Sequence, residues 1–275
     1  VVILTSKGDR ESLVATQCLL SGAVNFFEKP NETNQESFFI DFISKTESYL
    51  TIADELRKKT ELETVAYVDN QENTFSDEEC DRCLIAIGAS TGGPVCIRKI
   101  IMDLPSKFPP IIIVLHIAQG HDHLMVQNLL VDTGKNIKMA SNDIPINKST
   151  IYLAPAGKHL IVQQNLTLLS FILNSDRGGN LHVPSIDVFF NSVSMITNKH
   201  IIGILLTGMG KDGVTGLKQI KLNKGITIIQ DQRSSLVYGM PKNAKEINAH
   251  YFECHIINIV SKIIYVCKNW KSILI

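Results

Sequence analysis

From Cys83 to the C-terminus, the hydrophobic residues fall into short continuous runs separated by stretches of helical spacing. Leu84 to Ala89, Ile111 to Leu115, Ile201 to Leu206 and Ile226 to Gln230 are near-continuous apolar runs, the mark of strands buried on both faces of a parallel sheet. Ile151 to Ala154, His159 to Gln163 and Leu166 to Leu169 lie closer together, with Gln164-Asn165 as the expected turn. That spacing predicts a β-hairpin interrupting the sheet. In the tail, Ile256, Ile259, Val260, Ile263 and Ile264 repeat as one face of a helix laid on the sheet. The architecture predicted for this part is α/β: doubly wound and mostly parallel, with a β-hairpin insertion.

The upstream pattern is different. Val1 to Leu4 is a short β-branched run, Glu11 to Leu20 has helical spacing, and Val24 to Phe27 is a second apolar run ending at Glu28-Lys29-Pro30. The order reads strand, helix, strand. From Asn31 the composition turns polar, with a helix expected around Ser37 to Lys59 and a linker after it. Three segments follow: 1–59, a linker at 60–82, and a large domain at 83–275. The chain opens at Val1 directly in a strand-like run, so it reads as a fragment whose first segment is incomplete. The apolar faces of such a remnant are expected to have few partners.

Composition narrows the function classes. A 275-residue chain that is 44% hydrophobic supplies a sizeable core, and 27 basic against 27 acidic residues leave no net field for nucleic acid or an anionic membrane surface. The six cysteines show no disulfide framework, which suits reduced thiols in a cytoplasmic protein. Cys80 and Cys83 form one C-x-x-C, but no second pair follows at zinc spacing. The longest apolar run, Ile111 to Ala118, is interrupted by His116 and is far shorter than the roughly 20 residues needed to span a bilayer, so no membrane insertion is expected.

Candidate chemistry sits where predicted strands end. Leu84 to Pro94 places Ser90 at a sharp turn from a buried strand into a helix, with small residues at Gly88, Ala89, Gly92 and Gly93. The run fits G-x-S-x-G, a nucleophile elbow. It equally fits a phosphate-binding glycine turn, and a serine that merely caps its helix is a third reading. The next strand ends in His116, where a general base would sit. His121 and His123 follow and are expected to face solvent; a three-histidine metal site is the alternative. Thr207 to Gly213 then follows a third strand and carries Asp212. A hydroxyl, an imidazole and a carboxylate at three strand ends are the complement for nucleophile, base and base-orienting group. Their chain order, Ser, His, Asp, is not that of the α/β-hydrolases.

The same segment supports a rival. Gly208, Gly210 and Gly213 form the dinucleotide fingerprint, and Asp231 ends the following strand, near the distance expected of a ribose-binding acid. That reading leaves Ser90 and His116 without roles. Tyr238 and Lys242 match a Tyr-x-x-x-Lys pair by letter, but Pro241 interrupts it.

At these motifs the chain resembles the catalytic domain of the CheB family, the chemotaxis protein-glutamate methylesterases. The resemblance runs from about Leu84 to Ala244. It includes Ile87 to Gly93, His116, Tyr152-Leu153-Ala154-Pro155, Pro184-Ser185-Ile186-Asp187, Leu206 to Gly213, and Tyr238-Gly239-Met240-Pro241. It implies Ser90 as nucleophile, His116 as general base and Asp212 as its orienting carboxylate. Thr91, Gly92 and the Met209 backbone N–H would support the oxyanion, with no metal and no organic cofactor. Implied substrates are methylated glutamates on the cytoplasmic helical bundle of chemotaxis receptors, and some members also deamidate glutamines. Residues 1–30 resemble the end of a response-regulator receiver domain, with Thr5 at the switch hydroxyl and Lys29 at the phosphate-contacting lysine. The receiver's phosphoacceptor aspartate and acidic pair would lie upstream of Val1. In intact members the chemotaxis histidine kinase is the implied partner of that domain.

Two departures stand out. Ile117-Ala118 replaces the Met-Pro usual after the catalytic histidine, and Val183 replaces an Arg. The first would relax the loop that aims the imidazole, and the second removes a charge that could meet an acidic receptor surface. If these changes disable the site, the chain would be a catalytically idle receptor-binding module.

Overall fold

Cys83–Ala89 (β3) has no polar side chain and all seven of its residues are buried. Such a run is stable only where both faces are covered, and β3 accordingly lies in mid-sheet. The structure is a computed structural model. It describes residues 1–5, 9–30, 35–40, 42, 43, 46 and 74–274.

The first unit is β1 (Val2–Thr5), α1 (Asp9–Leu20) and β2 (Asn25–Glu28), with β1 and β2 paired in parallel. Residues 35–40 are helical (α2). In the large domain α3 (Asp77–Arg82) leads into β3, followed by α4 (Gly93–Asp103), β4 (Ile111–Leu115), α5 (His121–Thr133), β5 (Ile137–Met139) and β6 (Ile151–Leu153). Then come β7 (His159–Asn165), β8 (Leu168–Asn174), α6 (Ile186–Ser194), β9 (His200–Leu205) and α7 (Val214–Leu222). The chain continues through β10 (Ile226–Gln230), α8 (Met240–Glu246), β11 (Phe252–Cys254) and α9 (Ile259–Lys268).

The seven-stranded sheet has the order β11-β10-β9-β3-β4-β6-β5, and every pair in it is parallel. Alternate side chains divide the core. Ile85, Ile87, Ile111 and Ile113 face α4, α5 and α9, while Leu84, Ala86, Ile112 and Val114 face α6, α7 and α8. The α/β, doubly wound reading therefore stands, including the apolar face of the tail helix: Ile259, Val260, Ile263 and Ile264 are all buried. From β3 the chain winds one way to β4 and the other way to β9, so both neighbours of β3 end at the same edge of the sheet. This reversal in strand order is where open α/β sheets hold their ligands.

Three expectations are corrected. The hairpin forms a separate antiparallel pair and does not interrupt the parallel sheet. Its turn is Leu166-Thr167, not Gln164-Asn165, because the register sets Phe171 opposite Val162, with both buried over α6. The expected linker ends early. Asp77–Arg82 is a helix with a Ser76–Glu79 capping box, Cys80 is buried, and residues 60–73 lie outside the described residues. Most of the helix expected over 37–59 lies outside them too.

The N-terminal unit also has more partners than expected. α1 packs against α4 and α5, and Leu20 joins the main core. Phe27 clusters with Val237, Leu236 and Phe38.

Candidate active site

β3 ends at Ala89, and the chain reverses through Ser90, Thr91 and Gly92 into α4. Two backbone bonds tie the elbow down: Ser90 N–H donates to Thr207 O at 3.0 Å, and Gly93 N–H donates to Ser90 O at 2.7 Å. Gly92, the residue before the helix, has φ +80°, and a Cβ there would lie 2.7 Å from Leu236 Cβ. Glycine is required on both counts. Pro94 in the first turn suits a helix start.

β4 runs beside β3 and delivers His116 one residue past its end, where His116 N–H donates to Ala89 O at 3.1 Å. The imidazole bridges the other two residues. Nδ1 is 3.3 Å from Ser90 Oγ, and Nε2 is 2.8 Å from Asp212 Oδ2. A carboxylate can only accept, so the proton belongs on Nε2, leaving the Nδ1 lone pair toward the serine hydroxyl. Asp212 comes from the loop after β9, on the other side of β3. Gly213, at φ +87°, turns that loop into α7.

The carboxylate is held by the start of α6. Oδ1 accepts from Ser185 Oγ and from Asp187 N–H, both at 2.9 Å, and Oδ2 accepts from Ile186 N–H at 2.7 Å as well as from His116. Helix N-termini favour anions because their first N–H groups have no intrahelical partner. Burial alone would raise the carboxyl, but the His116 bond and the Asp187 and Ile186 amides outweigh it and bring it down to about 2. Asp212 is therefore ionised at neutral pH. Two further residues fix the helix start: His159 Nδ1 accepts from Ser185 N–H at 3.0 Å, and Asp187 Oδ1 accepts from Gly216 N–H at 2.7 Å. Burial pushes the Asp187 carboxyl up.

Ser90 and His116 open into a cleft of about 690 Å³ that Thr91, Gly92 and Met209 also line. Thr91 and Met209 N–H make no hydrogen bond among the described residues. Leu19, Val24, Asn25, Phe26 and Phe27 of the N-terminal unit form another wall. Thr5 and Lys29 meet elsewhere, at the ends of β1 and β2, where Lys29 N–H donates to Thr5 O at 2.7 Å.

His121 does not face solvent. It is 3% exposed, its ring lies 4.2 Å from that of Phe26, and its Nδ1 is 3.1 Å from Thr16 Oγ1. Asp231, the acid of the dinucleotide reading, closes a turn: its Oδ1 accepts from Ser234 N–H and Oγ at 2.9 and 2.5 Å. Gly208 is bonded on both sides, its N–H to Val237 O and its O to Met240 N–H. Sequence reasoning gave Ser185 no role beyond a motif letter and missed His159 and His182. The signal available was Ser185 two residues before an acid at the head of an apolar helix, which marks a helix start but not what binds there.

Three adjacent strand ends thus carry a hydroxyl, an imidazole and a carboxylate in one hydrogen-bonded row, the layout of serine hydrolases on a parallel α/β frame. The family model described as CheB methylesterase matches residues 85–263, and the chain belongs to that family. It is 36% identical over 250 residues to the protein-glutamate methylesterase/protein-glutamine glutaminase 1 of Carboxydothermus hydrogenoformans, covering 90% of this chain and 71% of that one. Its identity to the second such protein of Vibrio vulnificus is 32% over 251 residues, covering 90% and 70%. The crystal structure of the Thermotoga maritima CheB methylesterase catalytic domain is similar with a TM-score of 0.65 and 29% identity, covering 67% of this chain and 98% of that one.

Proposed function

We propose that this chain hydrolyses glutamate methyl esters on chemotaxis receptors, with Ser90 as nucleophile, His116 as general base and Asp212 as the carboxylate that orients it. The observation that carries the reading is the two-sided bonding of His116, to Ser90 Oγ and to an ionised Asp212. His116 Nδ1 takes the hydroxyl proton as Ser90 Oγ attacks the ester carbonyl, and the oxyanion forms near the Thr91 and Met209 N–H groups. Methanol leaves with the proton from His116. Water then attacks the acyl-serine by the same base, releasing the glutamate carboxylate and regenerating Ser90. The same sequence with ammonia as leaving group deamidates glutamine, the second activity in the relatives' names.

The substrates we infer are the cytoplasmic helical bundles of receptors, which places the protein in the cytoplasm; among the described residues no helix is long and apolar enough to cross a membrane. We read residues 1–59 as the end of a receiver domain. The adjoining Thr5 and Lys29 backbones at parallel strand ends support this. Methanol release from methylated receptor tests the proposal. Ser90→Ala should reduce turnover roughly a millionfold, to near background. Retention of most methanol release would sink it.

A further inference from the structure

His182 precedes the helix start that holds Asp212, and its ring lies flat over the His116 imidazole, with centroids 4.1 Å apart and planes 22° apart. Its position is built. Arg177 grips the preceding loop through Asn180 O at 2.9 Å and Leu181 O at 3.0 Å, and Val183 O accepts from Gly157 N–H at 3.1 Å. The His182 ring makes no hydrogen bond of its own among the described residues; its aromatic partner is the His116 ring. The same ring separates the Ser90 cleft from a second one lined by Leu181, Ser185, Lys211 and Glu246.

The two hydrogen bonds of His116 lie at its ring edge and define a line through Nδ1 and Nε2. They resist sliding along that line but only weakly resist tilting about it. A flat neighbour on one face blocks the tilt. The need is acute here because Ile117-Ala118, immediately after the imidazole, supplies no proline to stiffen the loop. We propose that His182 is a positioning residue for His116, holding the imidazole face-on in the plane it shares with Ser90 and Asp212. The inference rests on the reading of His116 as general base.

The stack also has the right charge. Burial disfavours a charged His182, and the nearby His116 and Arg177 act in the same direction, while Asp212 opposes them. Lys211, Asp187 and Glu246 are the other charged groups along the same cleft. The net shift lowers the His182 pKa, so a neutral ring presents its π face to the imidazolium that forms when His116 takes the serine proton.

His182→Ala and His182→Phe separate this from a merely structural role. Misplacing a catalytic group by about 1 Å costs on the order of a hundredfold. His182→Ala should therefore lower kcat by about 10- to 100-fold with KM changed less than about twofold. His182→Phe keeps a flat ring and should stay within about threefold of the parent. A second readout needs no turnover: the downfield proton resonance of the His116 Nε2–H bonded to Asp212. It should broaden into exchange in His182→Ala and persist in His182→Phe. Because it is read in the resting protein, its behaviour is independent of whether the chain cleaves glutamyl esters. Parent-like kcat and an unchanged resonance in His182→Ala would overturn the proposal. So would equal impairment of both variants with a raised KM, since the ring would then be contacting substrate through its nitrogens.

Discussion

Asp212→Asn probes stability and rate at one atom pair. Four donors converge on the carboxylate, two on each oxygen: Ser185 Oγ–H and Asp187 N–H on one side, Ile186 N–H and His116 Nε2–H on the other. An amide has one oxygen and turns its NH2 toward two of these donors. With the NH2 beside Ser185, the hydroxyl can rotate to accept, but Asp187 N–H cannot. With it beside His116, the ring can change tautomer, but Ile186 N–H cannot. Either way a buried backbone donor faces another donor, at about 1–3 kcal/mol. The lost charge adds a pH-dependent part. Lowering the carboxyl from 3.8 to about 2 corresponds to about 2 kcal/mol of folding stability. Because the folded value lies below the unfolded one, this contribution is fully present above about pH 5 and is lost as the pH falls through about 2. Asparagine lacks it at every pH. Urea unfolding should therefore show the widest gap between the two proteins at neutral pH, narrower by about 1 kcal/mol at pH 3. Methanol release at neutral pH should fall about ten-thousandfold, the scale of the same change in a Ser-His-Asp protease. A stability gap that does not change between pH 7 and pH 3 would refute the claim that these donors hold an ionised Asp212.

Two further outcomes follow from other parts of the frame. A Cβ on Gly88 would collide with Ile186 Cγ2 and lie 3.1 Å from Phe190 Cζ, so Gly88→Ala must push away the helix start that grips Asp212. It should lower stability by about 1–3 kcal/mol in urea and reduce methanol release with it; parent-like values for both would show that α6 can shift without consequence. Calorimetric titration with NAD or NADP should show no saturable binding, since Asp231 is engaged by Ser234. Micromolar binding weakened by Asp231→Ala would restore the dinucleotide reading.

Much of the frame was legible in one dimension. The four long apolar runs became β3, β4, β9 and β10, because a strand buried on both faces has no polar position to hide it. Ser90 and His116 could be picked out because each directly follows such a run, and Asp212 because it lies in the glycine-bracketed loop between such a run and the next helix; a strand-to-helix turn restricts which residues can stand there. β5 and β11 went unseen: each is three residues long with a charged residue, Lys138 or Glu253, at its centre, so neither forms an apolar run. The turn of the hairpin was misplaced for a related reason, since only the facing of Phe171 and Val162 over α6 selects the register.

Which strands become neighbours is a matter of packing between segments far apart in the chain, and no local pattern encodes it. The tertiary structure alone set β9 and β4 on either side of β3, and so made three separate strand ends into one site. It alone brought the start of α6 to the Asp212 carboxylate, laid His182 over His116, and turned Asp231 into a turn-closing residue. Periodicity records what a segment buries. What an exposed polar group at the end of that segment meets depends on the loops that converge there, and their convergence is decided only when the whole core has closed.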